Sequence, residues 1–258
     1  MVTDLGGFAG ATFKRGLHNL NIPTTLMASV DAAVGGKTGI NYKGLKNEIG
    51  SFYRPDCVMI DCTFLKTLDR DNLLSGYAEM LKHGLISDKP SFYDVLYFDL
   101  EQPDFEQLND LVSVSVKIKE QYVECDPQEK DVRKALNLGH TAGHAFESLS
   151  FARNNPVLHG HAVAAGLISE LYLSYHTCGM PVELLRQVTN FVKTPYPPFV
   201  FTCDDYETVY ELMTHDKKNE AGQINFTLLG DIGDIRINQS VSKALTFESF
   251  DFYRENVY

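Results

Sequence analysis

The chain has 258 residues, 44% of them hydrophobic and 22% charged, and it contains no Trp. A chain of this length can bury a core without disulfide or metal staples, and its apolar fraction excludes wholesale disorder. Its 23 basic and 34 acidic residues leave a formal charge of −11, which excludes general nucleic-acid binding through a basic face.

The opening segment has neither a basic n-region nor an apolar h-region, and residues 162–168, among the most apolar runs, are far too short to span a bilayer. No membrane partner is expected. Cys57, Cys62, Cys125, Cys178 and Cys203 are scattered, odd in number and lack C-x-x-C spacing. They read as reduced thiols in a cytoplasmic protein, and nothing marks one as a nucleophile.

In chain order, residues 22–27 read as a short strand running into a turn. Residues 57–61 read as a buried strand closed by Asp61. Between them, residues 29–50 read as a polar loop carrying Gly35, Gly36, Gly39, Gly44 and Gly50. The chain changes character near residue 70. Residues 71–83 place apolar side chains at helical spacing, with Asp71 as the N-cap. Helical periods recur over 104–122, 134–150, 158–177, 182–192 and 205–214. Residues 224–229 alternate as a strand or hairpin arm, and 247–258 read as a terminal helix.

Four of the eight histidines fall within 22 residues: His140, His144, His159 and His161. His140 and His144 stand at i, i+4, on one helix face. Imidazole is the commonest transition-metal ligand, and a catalytic zinc needs three protein ligands with one position open. A lone histidine is more often a core residue, but four among small neighbours point to a metal. Thr-Ala-Gly fills the gap between His140 and His144, so no zincin-type base is present, and Glu79 and Glu147 are the carboxylate candidates. Residues 31–38, D-A-A-V-G-G-K-T, resemble a P-loop except that Asp31 replaces the first glycine, where a carboxylate opposes a phosphate. What remains is a Gly-rich turn presenting Asp31 and Lys37 to a small ligand, or a surface hairpin with a solvated lysine. Arg15, Lys37, Lys46, Lys82, Lys119, Arg133, Lys217 and Lys218 sit among apolar or small neighbours. Singly they read as solvated charges; around a metal they suit a small, strongly anionic substrate.

Eight stretches in order make the chain similar to a known family. They are T-D-L-G-G-F-A-G-A-T-F-K-R-G (3–16), I-P-T-T-L (22–26), S-V-D-A-A-V-G-G-K-T-G-I-N (29–41), G-L-K-N-E-I-G (44–50), G-Y-A-E-M-L-K-H-G (76–84), R-K-A-L-N-L-G-H-T-A-G-H-A (133–145), L-H-G-H-A-V-A-A-G (158–166) and D-K-K-N (216–219). With them the chain resembles the 3-dehydroquinate synthase family, sugar-phosphate cyclases of the shikimate pathway. The resemblance implies an α/β, Rossmann-like portion (residues 1–65) followed by a mainly α-helical metal- and substrate-binding domain (66–258). It implies zinc or cobalt on Glu79, His140 and His159, with His144 outside the ligand set near the substrate phosphate. It places Lys37, Asn47, Lys82, Lys119, Arg133, Asn137 and one of Lys217 or Lys218 at the substrate, and Asp4, Thr24, Thr25, Asp31, Lys46 and Thr67 around NAD. Arg15 matches an arginine offered across a homodimer to the neighbouring site.

The implied substrate is the anionic sugar phosphate 3-deoxy-D-arabino-heptulosonate 7-phosphate. The implied reaction is a transient oxidation at C5, β-elimination of phosphate, return of the hydride and aldol closure to 3-dehydroquinate. Family members begin with a Rossmann-like half of roughly 100 residues, including a Gly-Gly-Gly turn ahead of Val2. Met1 falls inside that motif. The expectation is therefore a shortened form, inactive alone, with an incomplete NAD site. Residues 1 to about 50 are then expected to lack order in part or to pair with another chain. His161 stands where many members carry Glu and takes no ligand role. Two other readings are a sister cyclase, such as 2-deoxy-scyllo-inosose synthase, and a non-catalytic remnant serving as a dimerisation module. The set Lys119, Arg133 and Asn137, suited to a substrate carboxylate, weighs against the first. Retention of every metal and substrate position weighs against the second.

Overall fold

The computed structural model describes residues 2–42, 45–214 and 224–258, except for the side chains of residues 41 and 45–47. Helix α1 (Val2–Thr12) ends in a turn where Lys14 and Arg15 adopt φ of 49° and 69° and Gly16 adopts 117°. Strand β1 (Leu20–Asn21) pairs in parallel with β4 (Cys57–Val58). Residues 22–27 therefore hold no strand, the pairing falling on the two residues before them, and the strand expected over 57–61 is shorter than the sequence implies. Residues 22–27 turn away after Pro23, and Thr25 starts a π-helical turn (Ala28–Ala32): its Oγ1 accepts the Ala28 N–H at 3.2 Å and its carbonyl the Ser29 N–H at 3.0 Å. β4 is two residues long and partly exposed rather than buried.

Residues 29–50 are not a loop. After the π turn, β2 (Lys37–Tyr42) and β3 (Leu45–Phe52) form an antiparallel hairpin in which Gly39 faces Gly50 and Ile40 faces Ile49. The facing glycines let the two strands approach and also erase the apolar alternation by which a hairpin is recognised. α1 lies on this hairpin, with the Thr38 side chain against Gly7. The segment expected to lack order or to pair with another chain is thus largely packed on itself.

The rest of the chain is mainly helical. α2 (Arg70–Leu85) is capped by Asp69, not Asp71: the Asp69 carboxylate accepts the Asn72 N–H at 2.9 Å. α3 (Lys89–Leu96) starts on Asp88, and its eight residues were too few to show a period. α4 (Phe105–Cys125) starts on Asp104. A 3₁₀ turn (Val132–Asn137) leads into α5 (His140–Ala152), then α6 (His159–Cys178), α7 (Val182–Lys193) and α8 (Tyr206–Thr214). The 224–229 segment is one arm of a hairpin, β5 (Phe226–Asp231) with β6 (Asp234–Gln239). α9 (Lys243–Val257) begins four residues earlier than its apolar pattern, at the Ser242 cap. Among the described residues, no helix is long and apolar enough to cross a membrane.

α2 is the axis of the fold. Every residue from Leu73 to Leu85 is buried, including Glu79, Lys82 and His83. α3, α4 and α6 pack around it. The contact with α6 is closest at Gly160, where a Cβ would overlap the Ser75 carbonyl, and there the Ser75 hydroxyl accepts the Gly160 N–H at 3.1 Å. Neither neighbour is a flexible side chain end, so the backbones must part to admit a methyl group. Gly160→Ala is expected to lower unfolding stability by about 2–3 kcal/mol, measured by urea denaturation; an unchanged midpoint would contradict this packing.

Candidate active site

Four elements bring titratable groups to one buried point. α2 contributes Glu79 and Lys82, α5 contributes His140 and His144, α6 contributes His159, and α4 contributes Lys119. The ring centroids of His140, His144 and His159 form a triangle with sides of 5.3, 5.4 and 5.6 Å. One ligand atom of each lies within 4.8 Å of the others.

Glu79 enters this cluster from below. Its Oε1 lies 3.4 Å from His140 Nε2 and 3.7 Å from His159 Nε2, is buried and has no hydrogen-bond partner among the described residues, while its Oε2 takes the Lys82 ammonium. Bonds of about 2.1 Å to a tetrahedral zinc put neighbouring ligand atoms about 3.4 Å apart. The Glu79, His140 and His159 separations fit that edge, and an orphaned carboxylate oxygen inside a protein requires a partner.

The two imidazoles are oriented for it from behind. His140 Nδ1 lies 3.1 Å from the Leu138 carbonyl and His159 Nδ1 lies 3.0 Å from Glu147 Oε2. Acceptors at both Nδ1 atoms assign the protons there, leaving both Nε2 lone pairs facing Glu79. Glu147, a ligand candidate in the sequence, instead orients His159 through hydrogen bonding. It lies seven residues from His140, two turns along the same face of α5, which is the signal that could have indicated that role.

The electrostatics favour a neutral His140 ring beside a charged carboxylate. Burial, reinforced by Lys82, pushes the His140 imidazole down to about 3. Burial alone would raise the Glu79 carboxyl, but the Lys82 ammonium holds it well below the usual carboxylate range.

The cations divide into those at the cluster and those beyond it. Lys82 and Lys119 are buried. Lys119 Nζ meets the Asp31 carboxylate and donates to the Asp31 carbonyl at 2.6 Å. Burial pushes the Lys119 ammonium down against the pull of Asp31, and Asp31 is held well below the usual range by Lys119 in spite of its own burial. Asp31, a cofactor candidate, and Lys119, a substrate candidate, are therefore partners. Arg133 is buried too, with Nη1 on the Pro127 carbonyl at 2.8 Å and Nη2 on the Gly35 carbonyl at 3.3 Å. Glu129, which the sequence reading missed, pairs with Lys37 and accepts the Asn137 amide at 2.8 Å, from a backbone at φ 59°.

The remaining cofactor and interface candidates are dispersed along the first 67 residues. Asp4 lies in the first turn of α1, Thr24 and Thr25 precede the π turn, and Thr67 Oγ1 bonds the Phe64 carbonyl at 3.3 Å. Arg15 is exposed in the turn after α1. His161 Nε2 lies 3.1 Å from the Asp71 carbonyl, away from the ligand set. The side chains of Lys46 and Asn47, and Lys217 and Lys218 entirely, lie outside the described residues.

His83, one turn from Glu79 on α2, is fully buried with Nδ1 2.7 Å from Ser115 Oγ, and burial pushes it down to about 3. His83 and His140 thus stay neutral in the folded chain while the unfolded chain protonates them below about 6.5. The unfolded state binds more protons in that window. Stability is fully present above pH 6.5 and falls as pH drops towards 3, by about 1.4 kcal/mol per pH unit for each ring. Between pH 6.5 and 4.5 the metal-free protein should show this slope in urea denaturation, and His83→Gln should roughly halve it. An unaltered slope would sink the assignment.

Residues 1–75 match the family model described as 3-dehydroquinate synthase N-terminal, and residues 76–219 match the one described as 3-dehydroquinate synthase C-terminal. The chain is 66% identical over 256 residues to a 3-dehydroquinate synthase of Parabacteroides distasonis, covering 99% of this chain and 72% of that protein. It is 39% identical over 245 residues to a 3-dehydroquinate synthase of Clostridium tetani, spanning 65% of that relative. In fold it is similar to a 2-epi-5-epi-valiolone synthase from Streptomyces hygroscopicus with NAD+ and Zn2+ bound, at a TM-score of 0.87 and 24% identity over 98% of this chain and 71% of that one. It is likewise similar to a 2-deoxy-scyllo-inosose synthase complexed with carbaglucose-6-phosphate, NAD+ and Co2+, at a TM-score of 0.81 and 23% identity over 97% of this chain and 69% of that one. These two likenesses concern the fold alone. The two family matches and the Parabacteroides relative leave one conclusion: the chain belongs to the 3-dehydroquinate synthase family.

Proposed function

We propose that the chain carries the metal and substrate machinery of a 3-dehydroquinate synthase, a carbon–oxygen lyase converting 3-deoxy-D-arabino-heptulosonate 7-phosphate to 3-dehydroquinate and phosphate. The observation that carries this reading is the orphaned Glu79 Oε1 facing the Nε2 atoms of His140 and His159. One carboxylate and two neutral imidazoles form a donor set suited to zinc or cobalt with a position left open. When bound, zinc supplies a Lewis acid at the hydroxyl being oxidised and NAD a reversible hydride acceptor.

The chain's own residues do the rest. Lys82 and Lys119 hold positive charge in a dry interior, where it attracts the carboxylate and phosphate of the substrate strongly. Arg133 and Asn137, on the 3₁₀ turn, present planar donors to the carboxylate end. Lys37, on β2, reaches this turn through Glu129, which also accepts the Asn137 amide. His144, beside the two ligand imidazoles, donates a hydrogen bond to the leaving phosphate oxygen. The carboxylates and hydroxyls of Asp4, Thr24, Thr25, Asp31 and Thr67 suit the ribose hydroxyls of NAD, and they are the residues that would hold it. The cytoplasmic location rests on five unpaired cysteines. A homodimer with Arg15 reaching the neighbouring site is supported by exposed Phe13, Leu17, Leu20 and Ile22 around that arginine.

Calorimetric titration should show one Zn2+ per chain. Glu79→Gln and His159→Ala should each weaken it by more than about tenfold. Zinc binding that survives both substitutions would reject the ligand set.

A further inference from the structure

We infer that Glu170 positions His140 by capping helix α5 from across the α5–α6 interface, an inference that rests on the metal-binding reading above. α5 begins at His140, directly after Gly139, so the ligand sits on the first residue of its helix. The first amides of a helix have no intrahelical acceptor, and a side chain at the N-cap usually supplies one. Here that route is closed. Gly139 adopts φ 77°, and a Cβ on it would stand 2.7 Å from Leu167 Cγ and 3.2 Å from the Leu167 backbone nitrogen. The cap must come from elsewhere.

Glu170 supplies it. It lies on α6, fully buried, and its Oε2 accepts the Gly139 N–H at 2.7 Å while its Oε1 accepts the Ala142 N–H at 2.9 Å. Those are the N-cap and N3 amides, the same two donors that a capping box satisfies with two side chains. A single carboxylate from a neighbouring helix does both, at the end of α5 where the macrodipole favours negative charge. Four residues earlier on the same face of α6, Gly166 makes this reach possible, because a Cβ there would overlap the Gly139 carbonyl and stand 2.6 Å from the Gly143 nitrogen. His159 begins the same helix. The carboxylate therefore ties the helix bearing one ligand to the first turn of the helix bearing the other. Its carboxylate meets backbone amides of α5 and is not among the ligands proposed above, so it is a positioning residue.

The test uses the full chain and three readings. In the wild type, the Gly139 and Ala142 amide protons should exchange with the slowest core amides, as buried amide–carboxylate bonds require. Solvent-rate exchange at both overturns the inference without any variant. Glu170→Gln keeps the size but turns an NH2 towards one of the two amides. It should deprotect that amide, mix the His140 tautomer seen in long-range proton–nitrogen spectra, and weaken Zn2+ about tenfold or more in competition with a chromophoric chelator. Glu170→Ala should weaken it further. Val188→Ala, a buried truncation in α7, lowers global stability and should leave zinc affinity and tautomer unchanged. Equal zinc affinity and an unmixed tautomer in Glu170→Gln overturn the inference. Failure of the wild type to bind zinc overturns the metal reading instead, and the tautomer and exchange data then decide the role of Glu170.

Discussion

The close approach of α5 and α6 is the constraint on which the site depends. Gly139, Gly143 and Gly166 line the crossing, and a Cβ at any of them would press on the opposite helix, 3.1 Å from the Val163 Cα in the case of Gly143. Helices usually pack with axes 8–10 Å apart, the distance being set by the side chains between them. Removing those side chains lets His140 and His159, on different helices, bring their Nε2 atoms to the same Glu79 oxygen. Gly160 performs the same service between α6 and α2, the helix that carries Glu79. Three helices thus converge because their contact points are glycines, and the side chains that matter occupy the space left over.

Buried charge is the second consequence. Glu79, Lys82, Lys119 and Arg133 are all withdrawn from water, and each has an ionic or carbonyl partner in the chain. A buried ion pair contributes little net stability compared with apolar residues of equal volume, whereas removing one member is strongly destabilising. A fold that gathers several such pairs around an unsatisfied oxygen is arranged for chemistry rather than for stability. The arrangement also explains why the pKa influences oppose one another: desolvation pushes Glu79, Asp31 and Lys119 towards neutrality, and the adjacent opposite charge works against it, prevailing at the two carboxylates but not at Lys119.

What could be read from sequence follows from whether a signal is local. The long helices were legible because apolar spacing and an Asp cap are local, as at Asp104 and α4. The histidine cluster was legible because two pairs lie within 22 residues. The β2–β3 hairpin was not, because Gly39 and Gly50 occupy the positions where apolar alternation would appear. The N-cap of α2 was misplaced because Asp69 and Asp71 are equivalent by type, and only backbone geometry separates them. Glu129 and Glu170 were invisible for a different reason. Each acts on residues distant in sequence, Lys37 in one case and Gly139 in the other, and an isolated glutamate carries no mark of its partner.

These two kinds of residue differ in what they can vary. A ligand is held to its residue type by the metal it binds. A positioning group is held only to a function, which for the first turn of α5 is to accept two amides. His159 illustrates the same division: its Nε2 faces Glu79, while its Nδ1 needs only an acceptor, and Glu147 happens to be that acceptor where the Leu138 carbonyl serves His140. A backbone carbonyl and a carboxylate fix the same tautomer, but the carboxylate also raises the basicity of its imidazole. The two rings therefore face Glu79 with unequal support from behind, a carboxylate for His159 and a backbone carbonyl for His140, although each begins its own helix.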